Sequence, residues 1–210
     1  MNAYLTIDDA PSATLDEKLD TLVARGVPAV FFCEGRRLDD HAAHAERAVE
    51  AGYHLGNHTY SHPHASDLSV AEFEAEVART EKRIDAVYER AGVSRPAKLF
   101  RFPFGDDGGE RAPAFQRVLR EGGFVGPAAT TSGDESESRD WSWTLDAEDW
   151  TTDDRTELRA RFDAATRAAT GDEEVVLFHD AGNDVALFSA FVAWLDDSAF
   201  ALADPLELVR

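Results

Sequence analysis

The chain has 210 residues, 43% of them hydrophobic and 10% aromatic, which is enough to bury one sizeable core, and a single domain over residues 1–210 is expected. Its formal net charge of -20, from 41 acidic against 21 basic residues, repels nucleic acid and anionic lipid, so neither is expected as a partner. No stretch reaches the roughly 18 to 20 apolar residues of a membrane span, and Met1 lies only a few residues before the first apolar run, so a leader is not expected and a cytoplasmic location is.

Short apolar runs alternate with helical patterns along the chain. "AYLTI" predicts a first strand and is followed by a helix near 15–25; "PAVFF" predicts the second, with a helix near 39–51. "YHLG" precedes the clearest helix, 69–91, where Ser69 and Glu72 form a capping box, Phe73, Val77, Ile84 and Tyr88 keep to one stripe, and Gly92 stops the run. "KLFRF" and "FVGP" flank a helix near 112–121, and "WSWTL" and "EVVLF" flank one near 155–170, with a last helix near 184–196. Unbroken alternation implies an α/β fold with parallel strands joined by right-handed crossovers. "TTSGDESESRD", at 130–140, is polar enough for a mobile surface loop.

The acidic surface has few lysines, only Lys18, Lys82 and Lys98. Salt adaptation gives such a composition, since screening relieves self-repulsion, and so does a coding bias towards Asp, Ala and Arg. Cys33, the only cysteine, rules out an internal disulfide and a thiolate cluster, and its apolar setting in "VPAVFFCEG" predicts a buried small hydrophobe. Trp141 and Trp143 read as core residues of an alternating strand, or as stacking surfaces for sugar rings.

Polar residues gather after the strands. Asp8 and Asp9 follow the first, His58 and His62 the third, Arg101 ends the fourth, Asp146 and Asp149 follow the sixth, and His179 ends the seventh. In a (β/α) barrel the carboxyl ends of the strands form the rim on which an active site is built. Two histidines four apart in "GNHTYSHPH" can present both rings to one metal ion, or simply lie on a solvated turn; His41 with His44 reads as the latter, and His64 as a solvent-facing neighbour. A carboxylate from "LTIDDAPS" would complete a three-ligand site with an open position, leaving the second carboxylate free to act as a base; alone, the pair also reads as a solvated turn.

The ordered set "TIDDAPS", "GNHTYSH", "RFPFG", "DAEDW" and "LFHD", running from Thr6 to Asp180, resembles the five motifs of the polysaccharide deacetylases with a NodB homology domain, carbohydrate esterase family 4. The resemblance implies a distorted (β/α) barrel and a metal-dependent hydrolase that removes N-acetyl groups from a sugar, oligosaccharide or polysaccharide by attack of a metal-bound water. It implies Asp8 as catalytic base, Arg101 as the arginine pairing with it, and Asp9, His58 and His62 as metal ligands, with zinc as the default and cobalt, nickel or iron as other occupants. The Phe104 backbone amide matches the oxyanion donor, His179 the catalytic acid, Asp149 its carboxylate partner, and Trp150 and Leu177 the walls receiving the acetyl methyl.

Ile7 and Ala10 depart from the family's T-F-D-D-G-P, and alanine in place of glycine is expected to alter the loop beyond Asp9. Two other functions are compatible with the motifs: hydrolysis of non-sugar C–N bonds, such as a cyclic imide or ureide, and metal or sugar binding without catalysis. The sequence leaves the oligomeric state unknown. If the charge is a salt adaptation, the thermal unfolding midpoint should rise from about 0.1 M to molar KCl as the Debye length falls from ~10 Å to ~3 Å, and a flat or falling midpoint points to coding bias.

Overall fold

The apolar runs form a parallel sheet whose strands all end on one side. In chain order, β1 (Asn2–Ala10), α1 (Leu15–Arg25), β2 (Ala29–Cys33), α2 (Gly35–Glu50), β3 (His54–Asn57) and α3 (Val70–Ala91) make the first half. They are followed by α4 (Ala112–Glu121), β4 (Leu145–Asp146), α5 (Arg155–Ala168), β5 (Glu173–His179), α6 (Val185–Asp196) and β6 (Ala201–Leu202). The structure is a computed structural model describing residues 1–127 and 138–209, so most of the polar 130–140 loop lies outside the described residues.

The strand order is β3-β2-β1-β5-β4, with β6 beside the start of β1, and every pair is parallel. Parallel neighbours need crossover connections, which the helices supply. Single bridges from Asn57 to Phe100 and from Phe100 to Asp140 carry the ring from β3 towards β4, giving a distorted (β/α) barrel.

Period-two alternation sorts the strand side chains into two clusters. Ala3, Leu5 and Ile7 of β1, Ala29, Phe31 and Cys33 of β2, and Val176 and Phe178 of β5 share a core with Leu15, Leu19 and Leu22 of α1 and Phe188, Phe191 and Leu195 of α6. Tyr4, Val30, Phe32 and Val175 point the other way and meet Leu99, Trp141, Leu206 and Leu208. A third cluster stacks Phe73 of α3 on Phe115 of α4 at 4.3 Å between ring centroids, beside Phe100 and Phe102. Above Tyr4 the inner column of β1 turns polar, through Thr6 to Asp8, and Arg101 is buried beside them.

The α3 capping box forms as the sequence predicts, and Gly92 ends the helix in the left-handed region at φ 67°. Cys33 is fully buried, and burial pushes its thiol well above the ordinary value, as suits a small hydrophobe. No helix among the described residues is long and apolar enough to cross a membrane.

Three predicted strands are corrected. "KLFRF" and "FVGP" make only isolated bridges, and "WSWTL" reaches a ladder only at its end, in β4. Side chains take the places that ladder partners would fill: Arg101 Nε donates to the Trp141 carbonyl, and the Thr144 hydroxyl accepts the Val175 N–H at 2.9 Å. The second helix starts earlier than expected, at Gly35, where a Cβ would lie 2.5 Å from the Tyr60 ring. β6 was not foreseen; two residues of ladder at the foot of β1 carry no distinct pattern.

Candidate active site

β1 brings both aspartates to the site by breaking its own alternation. Ile7 pairs with Phe31 and Ala10 with Cys33, so three steps on β1 oppose two on β2, which is a bulge, and Asp9 sits in the left-handed region at φ 58°. Without it, adjacent side chains would face opposite sides of the sheet. Ala10 is not among the residues of positive φ, so alanine there costs no backbone strain, and the reshaped loop expected from the missing glycine does not follow.

The two carboxylates have different partners. Asp8, 3% exposed, accepts from Arg101 Nη1 at 2.8 Å, and the same Nη1 donates to the Thr6 hydroxyl at 2.7 Å. Arg101 is itself fully buried, with its guanidinium 4.5 Å from the Phe32 ring centroid. Asp9 instead turns to the histidines: its Oδ1 lies 3.2 Å from His62 Nε2 and 3.6 Å from His58 Nε2. His58 Nδ1 is 2.9 Å from the Arg101 carbonyl, which can only accept, so Nδ1 carries the proton and Nε2 presents its lone pair to Asp9.

This trio fits a divalent ion. Ligand atoms of Asp9, His58 and His62 lie within 4.8 Å of one another, and Asp9 Oδ1 is buried without a hydrogen-bond partner among the described residues. Two ligands at about 2.0 to 2.1 Å from a tetrahedral ion are about 3.3 Å apart, close to the separations here. Burial opposes the Asp9 charge, yet close His62 and the charges of His58 and His62 outweigh it and hold the carboxyl well below the usual range. Burial also pushes His58 below the ordinary imidazole value, against the pull of Asp8 and Asp9.

Across the cleft stands His179, whose Cα pairs with that of Asp8 in the β1–β5 ladder. Its Nδ1 lies 3.0 Å from Asp149 Oδ1, leaving Nε2 as the other donor. Asp149 is 1% exposed and also accepts from the His179 backbone N–H at 3.1 Å and from Asn183 Nδ2 at 2.6 Å. Burial disfavours the imidazolium, but the Asp149 hydrogen bond and charge, with Asp8 and Asp9 behind, raise His179 from 6.5 to about 9. Asp8, Asp9, His58, His62, His179, Phe104, Trp143, Trp150 and Leu177 line one cleft of about 320 Å³. Hollows elsewhere on the molecule are as large or larger, but none of these ionisable side chains lines them. Phe104 and Trp150 are more than half exposed, and Phe104 adopts a left-handed backbone at φ 60°.

The family model for polysaccharide deacetylase matches residues 2–123, more than half of the 210-residue chain. The chain belongs to the polysaccharide deacetylase family. A peptidoglycan-N-acetylglucosamine deacetylase of Bacillus cereus is 27% identical to it over 98% of this chain and 87% of its own length. A family 4 carbohydrate esterase from Streptomyces lividans, in complex with acetate, shares the fold with a TM-score of 0.70 at 25% identity, over 93% of this chain and 88% of its own. A family 4 pseudoenzyme from Bacillus anthracis shares it with a TM-score of 0.73 at 22% identity, over 100% of this chain and 65% of its own.

In this chain the site residues named from sequence converge on the one cleft, with Arg101 and Asp149 behind it. Asp146 stands apart, at the end of β4 with one oxygen accepting the Glu148 N–H at 2.7 Å. His64 is exposed as expected and stacks on Phe104 at 3.9 Å. Trp141 is fully buried, as the core reading has it, whereas Trp143 is half-buried, packing against the same inner cluster while also lining the cleft. Thr6 and Asn183 were missed as supporting residues. Alternation along β1 places Thr6 on the Asp8 face and was a usable signal; Asn183, in a turn, offered none.

In metal-free protein, an NMR titration should put His179 at about 9, and Asp149→Asn should lower that value. The sign for stability follows from a folded-state value above the unfolded one: the stabilisation is fully present below about 6.5 and lost as pH rises through about 9. Asp149→Asn should therefore destabilise most below pH 6.5, with the difference shrinking above 9. Equal destabilisation across that range would mean that Asp149 acts only by packing.

Proposed function

We propose that residues 1–210 form one catalytic domain that hydrolyses the N-acetyl group of an N-acetylated sugar, oligosaccharide or polysaccharide, with a divalent ion held by Asp9, His58 and His62. The observation carrying this reading is the division of one Asp-Asp pair: Asp8 on Arg101 at 2.8 Å, Asp9 on His62 at 3.2 Å. Neighbouring carboxylates with separate partners suit separate tasks.

A bound ion, zinc by default with cobalt, nickel or iron as other occupants, would supply a Lewis acid for the acetyl carbonyl and lower the pKa of water. Asp8, paired with Arg101 at 2.8 Å, accepts a proton from the attacking water as its oxygen bonds to the carbonyl carbon. The Phe104 N–H donates to the oxygen on which negative charge develops. His179, cationic through Asp149, passes its Nε2 proton to the departing nitrogen as the C–N bond breaks, leaving acetate and a free amine. Leu177 and Trp150 enclose the acetyl methyl, and the exposed face of Trp150 suits the apolar side of a sugar ring.

Acetate release from a panel of N-acetylated sugars tests this reading; cleavage of cyclic imides with no acetate from any sugar would replace it. Chelation should abolish turnover, and added Zn²⁺ or Co²⁺ should restore it. Asp8→Asn should keep the metal near stoichiometry while lowering turnover by about 10² to 10⁴. Asp9→Asn should weaken metal affinity, with activity returning in part as metal is raised. If elemental analysis finds Asp8→Asn stripped and Asp9→Asn loaded, the two roles are reversed.

A further inference from the structure

The proposed chemistry leaves one buried ion pair without a task. Lys18 of α1 and Asp180, the residue after His179, are both 0% exposed and lie 2.8 Å apart. Of the three lysines, Lys82 is exposed and Lys98 half-buried, and only Lys18 is fully inside the fold. A buried ion pair is a poor source of stability, since desolvating both charges offsets their attraction and an apolar pair of similar size does as well. What such a pair supplies is direction, because each bond fixes a geometry.

Those bonds converge on both halves of the site. Asp180 Oδ1 accepts from Lys18 Nζ at 2.8 Å and from the Ser12 hydroxyl at 2.7 Å, and Oδ2 accepts from the Ser12 N–H at 2.5 Å. Lys18 Nζ also donates to the Asp180 carbonyl, and the Asp180 N–H donates to the Asp8 carbonyl at 2.8 Å. The end of β5, which carries His179, is thus fastened to the backbone of Asp8, to the segment leaving the β1 bulge at Ser12, and to α1.

We infer that Lys18, Asp180 and Ser12 are positioning residues that lock the proposed base Asp8 and the proposed acid His179 into register at the ends of β1 and β5. The inference rests on the deacetylase reading for its rate effects, while its geometry stands independently. A small misplacement of reacting groups costs up to about 10²-fold in rate, so a rigid link between base and acid has a function that stability alone does not require.

Lys18→Met/Asp180→Leu removes both charges together and leaves neither buried alone. The expected result is an unfolding midpoint and zinc content near those of the wild type, kcat for acetate release lower by about 10²-fold with KM little changed, and a crystal structure with the ends of β1 and β5 displaced. Leu22→Ala, in the α1 core, is the contrasting variant: a lower midpoint with kcat unchanged while folded. Should the double variant not fold, Ser12→Ala removes the hydroxyl's bond to Asp180 together with its longer contacts to Thr14, and a fall in kcat of about 3- to 10-fold is expected. Wild-type kcat in the double variant, or in Ser12→Ala where the double variant does not fold, overturns the inference. So does a crystal structure in which Asp8 and His179 superimpose on their wild-type positions, whatever the rate. Wild-type protein that releases no acetate counts against the deacetylase reading, and the crystallographic comparison still decides the positioning role.

Discussion

The bulge in β1 is the constraint on which the site depends. A regular strand would send Asp8 and Asp9 to opposite faces of the sheet, one into the barrel and one among the helices. The shifted register between Ile7 and Ala10, with Asp9 left-handed, turns both towards one cleft. Backbone strain of this kind, of order 1 to 3 kcal/mol, persists only where the surroundings over-determine it. Here they do: Asp8 is held by Arg101, Asp9 faces two histidines, and the segment beyond is tied through Ser12 to Asp180. Thr59, His62 and Phe104 share the positive φ of Asp9, and they lie on the segments that follow β3 and precede α4.

Around that bulge the barrel is closed on one side by side chains more than by ladders. Arg101 is the central case. Its backbone N–H donates to Asn57 at 3.0 Å, its carbonyl receives His58, its Nε reaches Trp141, and its Nη1 reaches Thr6 and Asp8. One buried arginine therefore orients a histidine through its backbone carbonyl and a carboxylate through Nη1 of its guanidinium, while joining segments too irregular to pair as strands. Lysine in its place would supply a point charge without the planar set of donors. The burial of that cation is tolerable because Asp8 is beside it and aromatic faces flank it.

Much of this was legible in the sequence, for reasons that particular residues make plain. The alternating apolar runs gave β1, β2, β3 and β5, because burial on both faces of a parallel strand leaves a continuous apolar signature. The polar residues that followed each run came together because strands in one parallel sheet share a carboxyl end. Features carried by long-range polar contacts were not legible. The Thr144 hydroxyl standing in for a ladder carbonyl, Asn183 reaching Asp149, and Lys18 reaching Asp180 across 162 positions leave no periodic trace. Nor did composition separate Trp141 from Trp143, since both fit an alternating strand, yet the first is fully buried and the second also lines the cleft.

The fold alone does not carry the chemistry. A pseudoenzyme shares it at a TM-score as high as that of the Streptomyces lividans carbohydrate esterase, so the argument for activity has to be made at the level of the site. Three independent features there have no structural economy to recommend them. A buried carboxylate oxygen faces two imidazoles without a hydrogen bond, a second carboxylate occupies a buried arginine, and a third lifts a histidine to about 9 across the same cleft. Stability alone does not call for them, because a buried ion pair does no more for folding than a well-packed apolar pair of similar size. A barrel selected only for stability would fill these positions with apolar residues, as it does one layer below, where Tyr4, Val30, Phe32 and Val175 pack the same interior. The change from apolar to ionic along a single column of β1, from Tyr4 through Thr6 to Asp8, marks the boundary between the part of the barrel that folds and the part proposed to react.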